Sequence, residues 1–66
     1  MDWNKVYEKY KIEVKDGGIT WKGKHYPKHI VDIVENITFR FFPAVTEDNV
    51  DVLIAYQLSI LQHIVL

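Results

Sequence analysis

The chain has 66 residues, enough for one small domain spanning residues 1–66, and its lack of cysteine excludes disulfides, thiolate catalysis and cysteine-based zinc sites. Hydrophobic residues make up 48% of it and include two Trp, four Tyr and three Phe, which excludes an intrinsically disordered chain. A domain of this size buries only about 60% of its unfolded surface. We therefore expect oligomerisation, most simply a homodimer, to supply the missing stability.

Charge is unevenly distributed along the chain. Residues 1–28 carry seven Lys and four carboxylates, whereas residues 29–66 carry one Arg and five carboxylates. The net charge of −1 argues against a general polyanion binder. Charged side chains occupy the place where the apolar segment of a signal peptide would lie, and the apolar stretch 50–66 is too short to span a bilayer. We expect a soluble, cytoplasmic protein.

The first ten residues predict a short helix. Asp2 is a good N-cap, and one face is apolar at helical spacing, with Trp3, Val6, Tyr7 and Tyr10. Met1 and Val6 stand at the two positions of a hydrophobic staple.

The following segment predicts a β-hairpin. Apolar and charged residues alternate over residues 10–15, and Asp16-Gly17 supplies the positive-φ positions of a two-residue turn. That turn pairs Val14 with Ile19 and puts four apolar side chains on one face, namely Ile12, Val14, Ile19 and Trp21. The opposite, solvated face carries Lys11, Glu13, Lys15, Thr20 and Lys22. After a second turn at residues 22–24, His25-Tyr26 either forms a third strand or leads directly to Pro27.

Pro27 opens a predicted second helix whose apolar side comprises Ile30, Ile33, Val34, Ile37 and Phe41. Residues 38–42 (Thr-Phe-Arg-Phe-Phe) are rich in strand formers, so two alternatives stay open. Either the helix continues to Pro43, or it ends near Asn36 and the chain goes on extended.

The last segment predicts a helix capped by Thr46, with Glu47 and Asp48 at the positive end of the helix dipole. Its apolar arc of roughly 200° is wider than the stripe of a surface helix. The arc comprises Val50, Leu53, Ile54, Leu58, Ile60, Leu61, Ile64 and Val65. One hairpin layer cannot cover that arc, so we predict a self-interface formed by Leu53, Tyr56, Gln57, Ile60 and Ile64. The Gln57 amide then bonds its counterpart across a two-fold axis or a group in its own subunit.

These elements together predict an α+β fold. A short N-terminal helix is followed by a two- or three-stranded antiparallel β-meander and then by two helices, of which the last mediates oligomerisation. We expect the apolar face of the hairpin to pack on the second helix.

The sequence predicts no catalytic residue, no metal site and no cofactor. His25 and His29 have a zinc-motif spacing, but Pro27 lies between them and disfavours a shared helical face. Ser59 and His63 stand four apart on the last helix, with no group to orient the imidazole and no oxyanion hole.

The sequence therefore favours a non-enzymatic protein-binding module that occupies a surface of its target, as an inhibitor, adaptor or accessory factor. Very small inhibitors of phages and mobile elements fit this description. For the partner surface we predict Lys22, Lys24 and His25 at the hairpin tip, together with Arg40.

The alternative function is a dimeric nucleic-acid-binding protein whose lysine-rich hairpin contacts phosphates. The acidic half of the chain argues against it, and neither C-terminal helix offers a basic face to a major groove. We expect no membrane binding, because the polar side of the last helix carries no Lys or Arg.

Overall fold

The computed structural model describes residues 2–65 and confirms the predicted α+β arrangement. Within those residues the elements follow in the order α1 (Trp3–Lys9), β1 (Glu13–Lys15), β2 (Gly18–Trp21), β3 (Lys24–Tyr26), α2 (Lys28–Phe41) and α3 (Val50–Gln62). The chain divides into two compact units between Asp32 and Ile33. The meander unit holds α1, the strands and the start of α2, and the helical unit holds the rest of α2 and α3.

Helix α1 begins at its predicted cap. The Oδ1 atom of Asp2 accepts hydrogen bonds from the amides of Asn4 (3.1 Å) and Lys5 (3.4 Å). These bonds satisfy two of the amides that a helix N-terminus leaves unpaired. The predicted staple of Met1 with Val6 lies outside the described residues.

The connection from α1 to β1 is fixed by main-chain geometry. Lys11 has a φ of 57°, in the left-handed region, and reverses the chain after the helix. The amide of Ile12 then donates to the carbonyl of Tyr7 at 2.8 Å. The main-chain amide of Ile12, the residue that precedes β1, is therefore hydrogen-bonded to the end of α1.

The three strands form an antiparallel meander in the order β1-β2-β3, and a two-residue turn makes each connection. Asp16 and Gly17 have φ values of 52° and 78°, and Lys22 and Gly23 have 51° and 76°. Positive φ at both central residues defines the type I′ turn, whose twist matches that of the flanking strands. The third strand, left open by the sequence, is present.

The predicted register of the first hairpin is confirmed, since Val14 lies opposite Ile19. Its apolar face is buried only in part. Trp21 and Ile12 are buried, and Tyr26 of β3 joins them at 1% exposure. Val14, predicted as a core residue, is instead 60% exposed. It lies in a three-residue edge strand whose only strand neighbour in the described chain is β2.

Helix α2 continues to Phe41, so the helical alternative is confirmed for residues 38–41 and the extended alternative is wrong. The carbonyl of Pro27 accepts the amide of Val31 at 3.1 Å and starts the helical bonding. Thr38 is fully buried, and its hydroxyl donates to the Val34 carbonyl at 2.7 Å. This one-turn bond satisfies a buried hydroxyl and is available only in a helix, which overrides the strand propensity of the segment.

The buried side of α2 is narrower than predicted. Val34 and Thr38 are buried, whereas Ile30 and Ile37 are half-buried and Ile33 is 52% exposed. Positions 34 and 38 are one helical turn apart, so the buried face is a single stripe.

Helix α3 begins at Val50 with Asn49 as N-cap, three residues later than the start predicted from Thr46. A turn precedes it, because the amide of Thr46 donates to Asn49 Oδ1 (2.8 Å) and the amide of Asn49 donates to Thr46 Oγ1 (3.3 Å). Thr46 thus begins this turn and is not the N-cap of α3. The buried residues of α3 are Val50, Leu53, Ile54, Leu58 and Leu61.

Candidate functional site

Three aromatic side chains of the helical unit meet where α2 ends. The ring of Phe41 lies 5.6 Å from that of Tyr56, centroid to centroid, with the planes inclined at 55°. Phe42 approaches the same Tyr56 ring edge-on at 5.9 Å and 60°. The Phe42 amide still bonds the Thr38 carbonyl at 3.0 Å, so helical bonding fixes the main chain beneath both Phe side chains. Tilted geometries of this kind are the favoured ones for aromatic pairs.

This cluster is open to solvent. Phe41 is 66% exposed, and Phe42 and Tyr56 are half-buried. Val52, one helical turn before Tyr56 on α3, is 60% exposed. Because residues four apart share a helix face, Val52 and Tyr56 belong to one surface. We call Phe41, Phe42, Val52 and Tyr56 the aromatic surface.

The predicted self-interface residues of α3 differ in exposure. Leu53 is 0% exposed, so its side chain packs within its own chain and presents no surface to a second copy in this conformation. Tyr56, Gln57, Ile60 and Ile64 are half-buried, the last of them beyond the end of α3 at Gln62. The amide of Gln57 is therefore not sealed in a core. A role of these four residues in self-association stays a prediction.

The predicted partner residues fall into both units. Lys22 and Lys24 are exposed at the second turn of the meander, and the Nζ atom of Lys22 lies 4.7 Å from the centroid of the Trp21 ring. His25, one residue further, is exposed on β3, where its Nδ1 atom is 3.2 Å from Thr20 Oγ1 on β2. Arg40 is exposed on α2 in the helical unit.

The lysines predicted to line one hairpin surface are separated by the meander. Lys15 borders the first turn, and the side chain of Lys28 lies beside Gly17 of that turn. Lys22 lies in the second turn and Lys24 directly follows that turn, at the other end of β2. Lys28 also forms an ion pair with Asp32 at 2.7 Å. The basic residues therefore form two small groups and not one continuous stripe.

The residues weighed for metal binding and catalysis are not assembled. His25 lies on β3 and His29 in the first turn of α2, with Pro27 between them. Ser59 and His63 are exposed at the end of α3, and no hydrogen bond between them is present among residues 2–65. Over the same residues no three His, Asp or Glu side chains come together as a metal site would require.

The helices of the described chain are all too short or too polar to cross a bilayer. Comparison with protein-family models, with curated proteins and with solved structures yields no match.

Proposed function

We propose that the chain is a non-enzymatic, cytoplasmic protein-binding module and that the aromatic surface is its contact with a target protein. The observation that carries this proposal is Phe41, which keeps 66% exposure although its ring contacts that of Tyr56. Clustered exposed aromatic residues are uncommon on surfaces that contact only water and are enriched at the centres of protein interfaces.

The free energy available at this surface supports binding. Covering the exposed part of Phe41 removes roughly 100 Å² of apolar area, which contributes about 2–3 kcal/mol before ordering costs. Phe41 and Phe42 already contact Tyr56, and a side chain that has a packed neighbour before binding loses less freedom than one without. These are the properties of an anchor residue at an interface. A module of this kind acts by occupying a surface of its target, as an inhibitor, adaptor or accessory factor does.

The first test is capture of target proteins by the tagged chain, compared between wild type, Phe41→Ser and Phe39→Ser. Phe39 is the matched control, because it lies on the same helix, is 41% exposed and belongs to no aromatic contact in the described chain. We expect Phe41→Ser to lose a protein that wild type and Phe39→Ser retain, with unchanged circular dichroism. Retention of the same proteins by all three variants would remove the aromatic surface from the proposal.

A second candidate function, nucleic-acid binding, has one observation in its favour. Lys15, Lys22 and Lys24 are exposed on the meander unit. Their placement at opposite ends of β2 and the nearby Glu13 weaken it, because phosphate contacts need a continuous basic surface. Retention of DNA or RNA that decreases with salt, and that is lost on changing the three lysines to Glu, would establish it. Absence of binding at low salt would exclude it.

A further inference from the structure

The outer edge of β1 has main-chain groups available for a further strand. Lys15 and Gly18 flank a two-residue turn and therefore exchange the main-chain hydrogen bonds that close it. In an antiparallel ladder such pairs alternate with pairs that exchange none, so the N–H and C=O of Val14 point away from β2. Within residues 2–65 no other strand lies on that side.

Side-chain exposure singles out the same position. Val14 is 60% exposed, although it belongs to the sheet face that buries Trp21 and Tyr26. The flanking Glu13 and Lys15 are exposed and project to the opposite face. The edge is open only here, because the amide of Ile12 is already bonded to Tyr7. A docking strand would thus pair with three residues, Glu13–Lys15.

We infer that this edge pairs with β1 of a second copy of the chain, antiparallel about a two-fold axis at Val14. That register places Glu13 opposite Lys15 of the partner subunit, and Lys15 opposite Glu13 of the partner subunit. The two Val14 side chains meet on the other face. Both ion pairs follow from one strand sequence, because a two-fold axis generates a symmetry-equivalent copy of each contact.

Charge selects this register over its alternatives. A parallel arrangement puts Glu13 beside Glu13 of the partner subunit and Lys15 beside Lys15 of the partner subunit, and like charges opposite one another are unfavourable. A shift of one residue moves Val14 of one strand opposite a charged side chain. Opposite charges flanking one apolar residue therefore specify antiparallel pairing of two identical strands.

The resulting dimer is weak, because three residues of strand bury far less than a standard interface. We expect a dissociation constant on the order of 100 μM. The inference is independent of the proposed function, since β1 shares no residue with the aromatic surface.

A charge-reversal experiment tests the pairing. In Glu13→Lys and in Lys15→Glu, each considered alone, like charges face one another at both sites of the two-fold register. An equimolar mixture of the two variants restores opposite charges at both sites. Sedimentation equilibrium up to millimolar concentration should give a dissociation constant about tenfold weaker for each variant alone and a wild-type value for the mixture.

Further measurements separate this site from the α3 alternative. Titration by NMR should shift the Val14 amide of wild type with concentration, and the double variant with both charges reversed should dimerise like wild type. Ile60→Asp, which alters the predicted α3 self-interface, should leave the dimer intact. A monomer at all concentrations, or a dimer that resists both charge reversals but is dissociated by Ile60→Asp, would overturn the inference.

Discussion

The meander unit and the helical unit are stabilised in different ways. In the meander unit the geometry is set by main-chain devices, namely the Asp2 cap and two type I′ turns, while its large buried side chains are Ile12, Trp21 and Tyr26. In the helical unit aliphatic side chains dominate the buried residues of α2 and α3. The meander unit should therefore be most sensitive to backbone changes, and the helical unit to changes of side-chain volume.

The largest effect is expected from Leu53→Ala in the helical unit. Leu53 is fully buried, so the truncation removes apolar contacts and leaves a cavity, lowering the free energy of unfolding by about 3 kcal/mol. Urea denaturation followed by circular dichroism measures it. The matched control is Val52→Ala, whose 60% exposed side chain should change stability by less than about 0.5 kcal/mol. Equal losses of unfolding free energy for the two variants would contradict the idea that buried side-chain volume determines the stability of the helical unit.

A smaller effect is expected from Gly18→Ala in the meander unit. A Cβ atom on this buried glycine would overlap the main-chain carbonyl oxygen of Tyr26 and crowd the backbone of Pro27. Backbone cannot move aside as a flexible side chain does, so we expect a loss of about 2 kcal/mol. Thermal unfolding followed by tryptophan fluorescence measures it.

Gly23→Ala is the control for this substitution. A Cβ on Gly23 meets no atom within 4 Å, so only the strain of its φ of +76° remains, about 1 kcal/mol. If Gly23→Ala destabilises the protein more than Gly18→Ala, the close approach of Gly18 to the Tyr26 carbonyl is not what determines the stability loss.

The smallest effect is expected from Asp2→Ala, which removes the side-chain acceptor for the amides of Asn4 and Lys5. Loss of an N-cap costs about 1 kcal/mol of helix stability. Hydrogen exchange at those two amides should accelerate, and Asp2→Asn, which retains a capping oxygen, should exchange like wild type. Unchanged protection in Asp2→Ala would show that packing and not the cap holds α1.

Predictions from local main-chain signals were more accurate than predictions that depended on tertiary burial. Asp16-Gly17 is a strong turn signal, and it gave the correct register of β1 and β2 because a two-residue turn leaves only one pairing. The second turn has Lys22 in the left-handed region, where lysine is not a typical residue. The sequence therefore did not decide whether a third strand forms.

Predictions that depended on tertiary burial were less accurate. Thr38 and its neighbours have strand propensity, yet a buried hydroxyl bond keeps them helical. Helical periodicity does not distinguish an intrachain core from an interface, which is why Leu53 was assigned to a self-interface. Of the aromatic surface the sequence indicated Tyr56 alone. Phe41 was placed on the apolar side of α2 and Phe42 was not singled out, because their position next to Tyr56 depends on where α2 ends.

The open space around the second turn has a practical consequence for engineering. Gly23 has no atom within 4 Å of the position its Cβ would take, so a side chain added there displaces no neighbour. A fluorophore-bearing cysteine in place of Gly23 would keep the two-residue length of the turn and would label the protein without altering any residue of the aromatic surface or of β1. The labelled chain would report target capture and self-association by fluorescence in one sample.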